Sequence, residues 1–128
     1  MKIKPYWKPI FIALFIFYGS LSSGDNINKL SLFHFNNSDK LIHFIFYFML
    51  SITLQFSILR NTSISRKNQI LLTFIVVVTY GIIIEVFQYY FTNSRSADII
   101  DALANTLGCI CGILILPFLN KFTLSKYL

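Results

Sequence analysis

Nine side chains of this sequence could do chemistry, and they fall in three short blocks: Asp39, Lys40 and His43; Glu85 and Gln88; Arg95, Asp98, Asp101 and Asn105. Asp39 and His43 stand four apart, Glu85 and Gln88 three apart, and Asp98, Asp101 and Asn105 follow at steps of three and four. On helices, each set lines one face. Two carboxylates in different surroundings can divide acid and base roles, and an imidazole can relay a proton. Glu85, Asp98, Asp101 and His43 are therefore the candidates for proton transfer, and all nine are candidates for binding a ligand. Arg95 and Lys40 suit a phosphate or carboxylate, Arg through its planar fork. No phosphate-binding loop, serine nucleophile elbow or H-x-x-x-H pair is present, so neither a cofactor nor a metal is expected.

The elements that must carry these blocks are apolar. Of 128 residues, 55% are hydrophobic and 12% charged, whereas a soluble domain carries about 25% charged residues. The composition predicts an all-α membrane protein with one domain over residues 1–128, whose first partner is the lipid bilayer. A net charge of +6 would suggest nucleic acid in a soluble protein; here it reports orientation, and no nucleic-acid partner is expected. A span needs about 20 apolar residues, which predicts transmembrane helices at 10–22, 41–59, 69–91 and 99–119, the first being the shortest. Cys109 and Cys111, one residue apart in an apolar run, read as packing or lipid-facing residues.

Direction follows from the basic residues. With the N-terminus inside, Lys2, Lys4, Lys8, Arg60, Arg66, Lys67, Lys121 and Lys126 are cytoplasmic, against Lys29, Lys40 and Arg95 outside, eight against three. The positive-inside rule then places both termini in the cytoplasm. Lys2, Lys4 and Lys8 before an apolar stretch and Gly19, Ser20, Ser22 and Ser23 resemble a secretory signal, either cleaved or kept as an anchor; Asp25 is external either way. Short loops predict an antiparallel four-helix bundle. Residues 61–68 read as a polar hairpin. Residues 24–38, with Leu30, Leu32, Phe33 and Phe35, read as an interfacial segment that leaves His34 in solvent. Phe87, Tyr89, Tyr90 and Phe91 form one aromatic belt, Tyr6 and Trp7 the other.

Because successive helices alternate in direction, the three polar blocks are expected at one depth, on the outer side. An ionisable residue within a span costs about 2.5 to 3.5 kcal/mol on insertion scales, which makes each a functional candidate. Glu85 is expected roughly 7 Å outward of its helix midpoint. Gly108 and Gly112 continue the stripe of Asp101 and Asn105 as a G-x-x-x-G, and with Gly81 they suggest close packing and a Gly81–Gly108 crossing. Each polar residue also has an architectural alternative. Asp39 and Asp98 could cap helix N-termini, Lys40 could snorkel, Gln88 and Asn105 could join helices, and His43 could be a hydrogen-bonded interior residue. Arg95 could pair with Glu85 or Asp101 for structure alone.

At these residues the chain resembles the VanZ-like family of small bacterial membrane proteins, named after a protein associated with teicoplanin resistance. The resemblance rests on D-K-L-I-H-F at 39–44, E-V-F-Q at 85–88 and R-S-A-D-I-I-D-A-L-A-N-T-L-G-C-I-C-G at 95–112, and covers about residues 39–115. It puts the family's characteristic positions on Asp39, Lys40, His43, Glu85, Gln88, Arg95, Asp98, Asp101, Asn105 and Gly108. The turn before Arg95 departs from the family, with Thr92, Asn93 and Ser94 in place of a Pro-Gly; Asn can supply the same φ > 0 conformation. The resemblance implies a bacterial cell membrane and an envelope role.

Three function classes follow. The first is a protein that binds or modifies a lipid-linked envelope precursor or a lipoglycopeptide at the outer leaflet and lowers teicoplanin-type susceptibility. The second is a membrane-embedded hydrolase or transferase acting on an envelope lipid intermediate, with Glu85 as acid or base. The third is a proton-coupled lipid carrier, which four short helices without inverted halves could form only as an oligomer.

Overall fold

The computed structural model describes residues 4–21, 38–91 and 99–121. A 3-10 turn at Lys4–Tyr6 leads into α1, Trp7–Leu21; α2 is Ser38–Asn61, α3 Arg66–Phe91 and α4 Ile99–Lys121. All regular structure among the described residues is helical. Spans at Asp39–Asn61, Arg66–Phe91 and Ile99–Leu119 are long and apolar enough to cross a membrane. With 15 residues, α1 is about 22 Å long against a hydrocarbon core of about 30 Å, so it falls short of that length.

Helix ends follow local chemistry. Asp39 lies in the first turn of α2 and Arg60 in its last, the order that the helix dipole favours. The carbonyls at the end of α2 are taken up by side chains, Asn61 Nδ2 on Ser57 O at 2.7 Å and Thr62 Oγ1 on Ile58 O at 2.8 Å. After the connection at 62–65, Ser65 caps α3: its hydroxyl accepts from Asn68 N at 3.4 Å and its carbonyl from Gln69 N at 3.0 Å.

The helices are apolar outside and polar inside. The buried face of α3 is Gln69, Thr73, Val77, Gly81, Ile84, Glu85 and Gln88, four of the seven being polar. Its exposed face is Leu71, Leu72, Ile75, Val76, Ile82, Ile83 and Val86. A soluble protein buries the second set and exposes the first; lipid as solvent reverses the preference. The apolar core among the described residues has two parts, Ile16, Tyr47, Leu50, Val77, Ile84, Cys109 and Ile113 in one and Ile52, Phe56 and Leu116 in the other. Cys111 is exposed.

The closest approach is between α2 and α4. A Cβ on Gly108 would press into the carbonyl oxygen of Phe44, and one on Gly112 would meet Ser51 Oγ and lie 2.7 Å from Phe48 O. Phe44 and Phe48 turn aside and stack on each other at 6.2 Å, leaving the α2 backbone open to the two glycines. The Gly81–Gly108 crossing suggested by the sequence is thereby corrected. Gly81 instead faces the Tyr47 ring at 3.2 Å and the Asn105 amide at 3.5 Å, because a tyrosine and an asparagine fill the space between α3 and its neighbours.

Helix α1 is tied to α3 by two side chains that reach its backbone. Tyr80 donates to Ala13 O at 2.5 Å and Gln88 donates to Ser20 O at 3.0 Å. The second bond satisfies one of the carbonyls that every helix leaves open in its last turn. Phe17 against Phe87 completes the contact with α3, and Phe15 against Phe46, also edge to face, joins α1 to α2.

Candidate functional site

Three helices bring their polar residues to one place. Asn105 of α4 stands between His43 of α2 and Glu85 of α3, its Oδ1 3.0 Å from His43 Nδ1 and its Nδ2 donating to Glu85 Oε1 at 3.4 Å. An amide oxygen can only accept, so His43 Nδ1 carries the proton and, in the neutral ring, Nε2 keeps its lone pair. Glu85 Oε1 also lies 3.9 Å from His43 Nδ1. At the edge of this group Lys40 Nζ reaches Asp101 Oδ1 at 3.4 Å. His43, Glu85, Asp101 and Asn105 are all buried, while Asp39 and Lys40 are half-buried, so the cluster has an interior and a more open rim.

Register explains the convergence. Pairs 40 with 101, 43 with 105 and 44 with 108 rise together along α2 and α4, whereas 43 with 85 and 47 with 81 run in opposite senses along α2 and α3. The glycine seam holds α2 and α4 close enough for a short amide to bridge them. Counted from the middle of α3, Glu85 lies about 10 Å along the axis, somewhat farther than expected because α3 begins three residues before residue 69.

The arrangement can do two kinds of chemistry. His43 and Glu85, whose Nδ1 and Oε1 lie 3.9 Å apart, are the two groups that can exchange a proton, and the Asn105 amide, which does not itself relay one, holds both in place, in surroundings where each bond is stronger than in water. Asp39, His43 and Asp101 each offer a ligand atom, all within 4.8 Å of one another, and could hold a cation. Metal spacing was not legible in the sequence because the third member comes from another helix. Lys40 already gives Asp101 a positive partner, so a cation there has to displace its ammonium.

The other candidates are placed differently. Gln88 is buried on the same face of α3 as Glu85, and its amide nitrogen reaches the end of α1. Arg95 and Asp98 lie outside the described residues, as do Asp25 and His34. Tyr47 was missed. It is fully buried one turn after His43, its ring against Gly81, and its hydroxyl has no hydrogen-bond partner among the described residues. The i and i+4 spacing with His43 was the available signal, but an aromatic in an apolar run reads as packing. Gln55, also fully buried with neither side-chain polar atom bonded among the described residues, lies two turns farther along α2.

Compared with known proteins, the chain matches the family described as VanZ/LLP1 over residues 8–120. No curated protein and no solved structure matches the chain.

Proposed function

The chain belongs to the VanZ-like family, and from that premise we propose that it lies in the bacterial cytoplasmic membrane as four antiparallel spans. In this reading α1 is a retained anchor, both termini are cytoplasmic, and the polar cluster faces the extracytoplasmic leaflet. The basic residues Arg60, Arg66 and Lys67 around the connection at 62–65 support that direction, as do the bonds from Tyr80 and Gln88 that hold α1 in the bundle.

The proposed activity is to bind or modify an amphiphilic ligand, a lipid-linked envelope precursor or a lipoglycopeptide, at the outer leaflet, and so to lower susceptibility to teicoplanin-type antibiotics. The observation that carries it is the convergence of Lys40, His43, Glu85, Asp101 and Asn105 from three helices, with the cation at the rim. At 3.4 Å the Lys40–Asp101 contact is long for a charged hydrogen bond. An incoming phosphate or carboxylate would take Lys40, with Arg95 as its second cation, and release Asp101 to accept donors from the same ligand.

Susceptibility of a strain expressing wild type, Glu85→Gln or Asp101→Asn, with membrane levels matched, tests this. Protection by wild type that either change abolishes is the expected result. Equal protection by all three would make the cluster architecture, and protection by none would separate this chain from the resistance phenotype. The His43–Glu85 approach favours a second reading, a hydrolase or transferase in which Glu85 moves a proton. Glu85→Gln keeps the shape and removes the acid, so full protection by that variant together with loss of protection in Asp101→Asn would end the second reading and leave a binding role for the cluster.

A further inference from the structure

At the end of the bundle away from the cluster, the start of α1 and the end of α2 frame an open pocket of about 430 Å³, within the range of roughly 300 to 1,000 Å³ usual for small-molecule sites. Pro5, Trp7 and Lys8 line it from one side, Phe56, Arg60 and Asn61 from the other. Lys8 is half-buried, Arg60 and Asn61 exposed, so cations from two helices share one hollow. Arg60 stands over the Phe56 ring, 4.6 Å from guanidinium carbon to ring centre. A ring face holds the cation but supplies no oxygen to its five N–H donors. Asn61 gives one amide N–H to Ser57 O at 2.7 Å and carries a second. The Ser57 hydroxyl is donated to Thr53 O at 2.8 Å, so it brings the pocket no donor.

No carboxylate answers these donors. The sequence has no Asp or Glu over residues 1–24 or 40–84, and Asp39, Glu85 and Asp101 lie at the far end. Neither the 3-10 turn nor α1 has an acidic residue in its first turn, where the helix dipole favours one. What the hollow lacks is oxygen acceptors that bear negative charge. Depth points to their source. Trp7, Phe11 and Leu14 follow at steps of four and three on one face of α1, and all three are exposed, so an apolar flank runs from the mouth of the pocket along the helix. Tryptophan marks headgroup level, and basic pockets between spanning helices at that level suit anionic lipid heads.

We propose that this pocket binds the phosphate of an anionic phospholipid in the leaflet at the basic end. Arg60 forks onto its oxygens, Lys8 adds a point charge and the Asn61 amide a further donor, while the acyl chains lie along Trp7, Phe11 and Leu14. The site is separate from the cluster and needs only that the helices cross a bilayer, so its failure would leave the proposed function untouched. A mere count of basic residues would be served equally by Arg66 and Lys67, which open α3 outside the lining of the pocket.

Trp7 is the single tryptophan of the chain and reports on the pocket. The test reconstitutes the full chain in phosphatidylcholine vesicles with a rising fraction of phosphatidylglycerol brominated on its acyl chains, and compares quenching of Trp7 fluorescence with that by brominated phosphatidylcholine. Half-quenching by phosphatidylglycerol is expected at an about tenfold lower mole fraction, the weight of one charge-assisted hydrogen bond. Arg60→Gln should bring the curve to that of phosphatidylcholine. Asn61→Phe, which changes no charge and fills the pocket, should do the same; Lys8→Gln stands in if either variant does not accumulate. Arg66→Gln combined with Lys67→Gln removes twice the charge just outside the pocket and should keep the preference within about twofold. Equal quenching by the two lipids overturns the proposal. So does a preference that folded Asn61→Phe leaves intact, or one lost as fully in the Arg66 and Lys67 pair as in Arg60→Gln, since bulk charge would then be the cause. Relief of quenching by millimolar inorganic phosphate would assign the pocket to a soluble anion and overturn the lipid.

Discussion

The two ends of the bundle are both polar, and they are polar in different ways. At the end that carries the cluster, the bonds join residues 61, 62 and 20 positions apart. At the other end Lys8 lies over its neighbour Trp7 at 5.8 Å and Arg60 over Phe56 at 4.6 Å, while Asn61, Thr62 and Gln69 bond to backbone within five residues. All three described carboxylates, Asp39, Glu85 and Asp101, belong to the first end. Charge at the basic end makes its ring contacts within single helices and, under the proposed orientation, would serve as an address that the membrane reads as a count, whereas charge at the other is built from several helices into a shaped interior. Under the proposed function, the second arrangement is the one that would select the ligand.

The seam that holds the cluster together is the strongest place to break this contrast. Gly112→Leu should prevent α2 and α4 from closing, since even a methyl there meets Ser51 and the Phe48 carbonyl. Overpacking costs about 1 to 3 kcal/mol in a core that can shift, and more against backbone; the expected outcome is little or no folded protein by fluorescence-detected size exclusion. Asn105→Leu should cost about 1 to 3 kcal/mol by leaving His43 Nδ1 and Glu85 with fewer partners, measured as a lower melting temperature in detergent. Its effect should exceed that of any single change at the basic end.

Smaller effects sharpen the distinction. Ser65→Ala removes the cap of α3 and should cost about 1 kcal/mol, with no change in antibiotic protection. Arg60→Ala should shift stability by less than about 0.5 kcal/mol. Removing Arg60, Arg66 and Lys67 together should still leave the folded bundle near its original melting temperature but give mixed orientation in reporter fusions at residue 63. A triple variant that kept a single orientation would refute the address reading. One that lost folding as severely as Gly112→Leu would erase the difference between the ends.

The sequence by itself determined the helical class, the three long apolar helices and the chemically competent residues, because hydrophobic period and the cost of burying charge are properties of short windows. It also carried the family, through three ordered blocks. It did not determine partners. That Asn105 would stand between His43 and Glu85, that Gly108 and Gly112 would meet α2 rather than Gly81, and that the Gln88 amide would reach α1 are decisions about how helix faces dock. Tyr47 shows the same limit, since its ring packs against Gly81 of another helix, 34 positions away. Packing alone sets which residues 20 or 60 positions apart come within hydrogen-bond reach, and no local pattern encodes that distance.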